Sequence, residues 1–113
     1  MVKIIVTSDL LKQLKKTFGV TKSHEILDLF ETLKENPKKG KELGKVGNIV
    51  IKELKYESFR FYFLSDNFKI KFLKVNEIKD LIIKFVKMSK KNNQQEVIEQ
   101  IKLLLKKLGF DKI

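Results

Sequence analysis

The chain has 113 residues, with 25 Lys plus Arg against 14 Asp plus Glu, for a formal charge of +11. At 42% apolar it can bury enough surface to offset its ordering entropy, which excludes intrinsic disorder. No apolar run approaches the ~20 residues of a membrane span. With no cysteine and one histidine, His24, disulfide frameworks, thiolate metal sites and most histidine-based chemistry are excluded as well.

These bounds lead us to expect a single basic domain over residues 1–113, cytoplasmic and not membrane-bound. The polar stretch Thr7-Ser8-Asp9 follows the N-terminal apolar run too soon for a secretion signal. The charge suggests a polyanionic partner. A solvated lysine surface fits it equally, because 24 of the 25 basic residues are lysine and Arg60 is the sole arginine.

In chain order, Lys3 to Thr7 is rich in β-branched residues and reads as a strand. Thr7-Ser8-Asp9 offers N-cap chemistry for a helix from about Asp9 to Phe18, with Leu10, Leu11, Leu14 and Phe18 at helical spacing and Gly19 as its C-terminal cap. Thr21 or Ser23 caps a second helix with an Ile26, Leu29, Phe30 and Leu33 stripe. Asn36-Pro37 stops it, because a residue before proline is pushed out of the helical region.

Lys38 to Gly47 reads as a basic, glycine-containing loop. The period then changes to two. Strands are expected at Ile49 to Lys55, Phe59 to Leu64, Phe68 to Val75 and Leu81 to Met88, separated by turns at Glu57-Ser58, Ser65-Asp66-Asn67 and Asn76 to Lys79. Asn93 and Glu96 form a capping box for a last helix with a Val97, Ile98, Ile101, Leu104, Leu105 and Leu108 stripe closed by Gly109. The expected architecture is α+β, β-α-α-β-β-β-β-α: an antiparallel meander with an N-terminal helical hairpin on one face and a C-terminal helix.

Strand alternation sorts candidate site residues by face. Phe59, Phe61 and Phe63 share one face of their strand, the one suited to packing on helices. Arg60 and Tyr62 are thereby left on the open face. No acidic residue falls between Leu81 and Gln95, where Lys84, Lys87, Lys90 and Lys91 lie. Those lysines read either as edge-strand protection or as a phosphate-binding rim. Tyr56 and Tyr62 could stack bases, or reflect ordinary strand propensity. No phosphate-cradling glycine loop is present. His24 reads as a surface or capping residue. Glu25, Asp28, Glu31 and Glu35, interleaved with Lys22 and Lys34, read as a solvated helix face.

The ordered pieces resemble the RelE/ParE toxin superfamily, nearest its phage-derived HigB-like branch. Leu33-Lys34-Glu35-Asn36-Pro37 is similar to the family's Leu-x-x-Asn-Pro junction. Lys52-Glu53-Leu54-Lys55 resembles its strand ending in Glu-Leu-Arg, and Phe59-Arg60-Phe61-Tyr62-Phe63 its Tyr-Arg-x-x-Tyr or Phe strand. The run from Phe85 to Lys91 resembles its Phe-x-Lys-Lys strand end, which leads into a final amphipathic helix. The pattern departs at Ile83, where the family often has histidine, at Lys55 in place of arginine, and at Met88 in place of lysine.

The resemblance implies the toxin of a type II toxin–antitoxin system. Such a toxin is an endoribonuclease (mRNA interferase) that cuts mRNA at the ribosome without metal or cofactor and is neutralised by a helix-turn-helix or acidic antitoxin. The ribose 2′-OH would attack the adjacent phosphate, which calls for a base, positive charge on the phosphorane and an acid for the leaving oxygen. Arg60 is implied as the phosphate clamp. Lys55 is a second phosphate contact, or the base if neighbouring positive charge favours its neutral form, with Glu53 as another candidate base. Lys87 completes the catalytic set. Lys84, Lys90, Lys91 and Tyr62 would contact RNA. Two alternatives follow from the same resemblance: a catalytically degraded protein that binds antitoxin or RNA, favoured by Ile83, and a ParE-like gyrase poison, disfavoured by the HigB-like pattern around Phe85.

Overall fold

The computed structural model describes residues 2–88 and 94–110. Along the chain run β1 (Lys3–Val6), α1 (Ser8–Glu31), a short 3-10 turn (Thr32–Lys34), β2 (Lys41–Val46), β3 (Ile49–Tyr56), β4 (Phe59–Ser65), β5 (Lys69–Leu73), α2 (Val75–Met88) and α3 (Gln94–Lys107). The class is α+β, built on one five-stranded sheet of order β1-β5-β4-β3-β2. Strands β2 to β5 form an antiparallel meander, and β1 joins its β5 edge in parallel, so the sheet is mixed rather than wholly antiparallel.

The start of α1 follows its sequence. Thr7 caps it, its hydroxyl accepting from the Leu10 amide at 3.4 Å. The two helices expected around Gly19 form one span broken at that residue alone, where φ is 75° and ψ −176°. Only glycine visits that region without strain. Both runs serve the same core, Leu10 and Leu14 before the break and Ile26 and Phe30 after it.

Three expectations are corrected. The loop expected over Lys38 to Gly47 contains a strand, β2, with a bulge between Glu42 and Gly44. The bulge and the glycines interrupt the two-residue period by which a strand is recognised. The strand expected over Leu81 to Met88, and the turn before it, are together the helix α2. Its buried positions Ile78, Leu81 and Phe85, with half-buried Ile82, follow helical spacing. Glu77 fixes its start: its carboxylate accepts from the Lys74 amide at 2.8 Å while its own amide donates to the Lys74 carbonyl at 2.9 Å. The strand expected from Phe68 to Val75 is shorter, at Lys69–Leu73, because Val75 already belongs to α2.

The sheet is buried on both faces. Against α1 lie Leu54, Phe61, Phe63, Ile70 and Phe72, where the Phe30 and Phe72 rings stack with centroids 3.7 Å apart. This confirms the phenylalanine face of β4 as the one packed on the N-terminal helix. The other face carries Val46, Ile49, Ile51, Leu64 and Leu73 and is covered by α2 and α3. The end of α3 is tied to β5 by two lysines: Lys71 Nζ donates to the Leu108 carbonyl at 3.0 Å, and Lys69 Nζ to that of Gly109. These cations meet the negative end of the helix. Among the described residues, no helix is long and apolar enough to cross a membrane.

Phe85 seats its ring on Gly44 of β2, where any Cβ would overlap it. Gly44→Ala is therefore expected to destabilise the fold by about 1–3 kcal/mol through overpacking. Urea unfolding checks this, and a midpoint equal to wild type would contradict the seating of α2 on β2.

Candidate functional site

The register of β3 and β4 brings the main candidates together. Lys55 pairs with Arg60, and Glu53 with Tyr62. On either side, Lys41 of β2 pairs with Glu53, and Leu73 of β5 pairs with Tyr62. Directly paired residues share a face, so Lys41, Glu53, Lys55, Arg60 and Tyr62 lie on one face. This is the face covered by α2 and α3, not a wholly open one, but the cover is partial. Along β4, Leu64 is buried, Tyr62 half-buried and Arg60 exposed.

Three cations thus share a sheet face with one carboxylate. Arg60 Nη1 lies 3.7 Å from Glu53 Oε1, with side-chain exposures of 59% and 14%. With the guanidinium largely in solvent and the separation beyond hydrogen-bond range, the pair contributes at most about 1 kcal/mol. A hydrogen bond to a charged partner is worth about 1.5–3 kcal/mol. The guanidinium can therefore leave Glu53 for a phosphate at little cost. Burial, and then the Glu53 carboxylate across the strand pair, push the Tyr62 phenol above its usual value against the opposing effect of Arg60. Tyr62 is thus held as a proton donor beside a carboxylate that can accept.

The remaining candidates separate from this group. Lys84 is on α2 and lines a groove with Asp80, Ile83, Leu103 and Lys107, sharing no residue with the pocket beside Arg60. Its segment is helical, which corrects the expectation that it lies on a strand of the sheet. Lys87 is likewise carried by α2 rather than by a strand. Lys90 and Lys91, with Asn93, lie outside the described residues. Tyr56 is removed from the site, since its hydroxyl donates to Glu25 Oε2 of α1 at 2.7 Å and its ring packs in the α1-side core. Lys41 was missed in the sequence because the loop reading of its segment hid its pairing with Glu53.

Beside Arg60, β4 outruns β5. The last β4–β5 pair is Tyr62 with Leu73, so among the described residues Phe59 to Phe61 have no strand partner on that side. A pocket of about 110 Å³ opens there, lined by Leu10, Gln13, Thr17 and Phe18 of α1 together with Phe59 to Tyr62, Leu73 and Val75. No three His, Cys, Asp or Glu side chains gather as a metal site would need among the described residues. No family model, curated protein or solved structure matches the chain.

Two titrations test these environments. In a Tyr56→Phe background, where Tyr62 is the remaining tyrosine, Glu53→Gln should lower the Tyr62 ionisation midpoint and Arg60→Ala should raise it, as read by ultraviolet absorbance; movement in the opposite directions would refute the arrangement. Tyr56 itself is pushed from 10.0 to about 12, chiefly by its hydrogen bond to Glu25. Its folded value is the higher one, so its contribution to stability is complete below pH 10 and lost as pH rises toward 12. Tyr56→Phe should make the loss of stability across that window shallower in denaturant titrations, and an unchanged slope would contradict the bond.

Proposed function

We propose that the chain is a metal-independent endoribonuclease of the RelE/ParE kind, a toxin that cuts mRNA at the ribosome and is held in check by an antitoxin. The observation that supports this reading is the shared sheet face of Arg60, Lys55, Glu53 and Tyr62. Between them they supply what 2′-OH transesterification requires: a base, phosphate-binding cations and a proton donor.

In this reading Glu53 takes the proton from the ribose 2′-OH. The 2′-oxygen bonds to phosphorus as the bond from phosphorus to the 5′-oxygen breaks. Tyr62 gives its proton to that leaving oxygen. Arg60 and Lys55 hold the phosphorane charge, Arg60 through two parallel N–H bonds. The products are a 2′,3′-cyclic phosphate and a 5′-hydroxyl end. The proton on Glu53 then returns to its strand neighbour Tyr62, restoring both groups.

A second reading is an RNA-binding domain of the same fold that does not cleave. Ile83, at the position of the family's histidine, favours it, because this residue lines the α2–α3 groove away from Arg60.

With purified protein and ribosome-bound mRNA, Arg60→Ala should slow cleavage by about 2–4 kcal/mol of transition-state stabilisation, as when one oxyanion donor is removed. Glu53→Gln should lose roughly 10²–10⁴-fold, as for a general base. An Arg60→Ala loss below about threefold would contradict the clamp. Intact mRNA in the presence of wild-type protein that still binds it through Arg60 would establish the second reading instead.

A further inference from the structure

We propose that the pocket at the free end of β4 is a nucleobase site, which takes one base of a single-stranded RNA whose phosphate lies on Arg60. The proposal rests on the reading of Arg60 as a phosphate contact and adds the position of the adjoining base.

Three features support it. Phe59 and Val75, both large and apolar, are 42% and 48% exposed on the pocket wall, where a folded chain gains nothing by leaving them bare. Phe59 is braced from one side: Phe18 meets it edge-on, with centroids 4.6 Å apart and planes at 82°. A braced aromatic ring offers a stacking platform without a large ordering cost. Finally, Gln13 and Thr17, one helical turn apart on α1, are exposed polar groups on the opposite wall. Their amide and hydroxyl can donate to and accept from a base edge. Because Arg60 itself lines the pocket, base and phosphate would be read by neighbours on one strand. A molecule of charge +11 favours a polyanionic chain over a neutral ring compound as the source of that base.

The test uses a short single-stranded RNA made uncleavable by 2′-O-methyl groups, and the same strand carrying abasic positions, with binding read by fluorescence anisotropy. Wild-type protein should bind the intact strand roughly tenfold more tightly than the abasic one, the effect of a single stacked base. Phe59→Ala should abolish that difference. Phe68→Ala, which removes the 71% exposed ring in the β4–β5 turn, should retain it. Gln13→Ala should keep the stacking preference and flatten any preference among the four bases. Circular dichroism verifies that each variant is folded.

Equal binding of intact and abasic strands by wild type, or an unaltered difference in Phe59→Ala, would overturn the proposal. So would a nucleoside monophosphate that outcompetes the strand, since the source would then be a free nucleotide. Cleavage of unmodified RNA that needs Arg60 but is indifferent to Phe59 and to the abasic positions would keep the nuclease and remove the pocket. Base-dependent binding lost in Phe59→Ala, without cleavage of unmodified RNA, would keep the pocket and remove the nuclease.

Discussion

The molecule depends on a sheet that must be covered on both faces, and β4 sets the terms. Phe61 and Phe63 point into the α1-side core, while Leu64 and half of Tyr62 enter the core under α2 and α3. Leaving either apolar set in water would forgo about 1.5–3 kcal/mol per large side chain. Helices are therefore required on both sides, and the sites of polar chemistry are confined to what the helices leave bare. On the second face the cover ends at Tyr62 and Leu73. Glu53 lies on that line beside Tyr62, and beyond it Lys55 and Arg60 reach solvent, because their charges could not be buried without partners.

Partial cover also shapes the electrostatics. Glu53 is nearly enclosed, yet its cationic neighbour Arg60 reaches into solvent. A carboxylate held by the sheet beside an exchangeable guanidinium is a stable arrangement in the free protein and an open one to an incoming phosphate. The same lysine-rich composition serves another purpose at β5, where Lys69 and Lys71 hold the carbonyl end of α3. Net charge does not distinguish these uses. Position on the sheet does, because a lysine facing a helix end has a partner and one facing solvent has none to give up.

Much of β3 and β4 was legible because both strands alternate cleanly and are joined by the two-residue Glu57-Ser58 turn. That turn fixes their register, and with it the pairing of Lys55 with Arg60 and of Glu53 with Tyr62. The α2 segment was illegible for a physical reason. The run from Leu81 to Met88 is apolar at so many positions that a short window fits period two as well as period 3.6. The deciding features are Glu77, which caps the helix four residues before that run, and Gly44, forty-one residues before Phe85 in the chain, which makes room for its ring. Lys84, expected on a strand, lies instead on α2 in a groove of its own.

The sequence by itself determined the α+β class, the glycine break in α1, the two-faced character of β4 and the residues of the β3–β4 pair, because each follows from local periodicity or a short turn. Only the tertiary structure decided the parallel docking of β1 on β5, the strand β2 with Lys41 beside Glu53, the helical state of α2 and the pocket where β4 outruns β5. These depend on which distant segments meet, and no local pattern of side chains records how far a neighbouring strand or a covering helix extends.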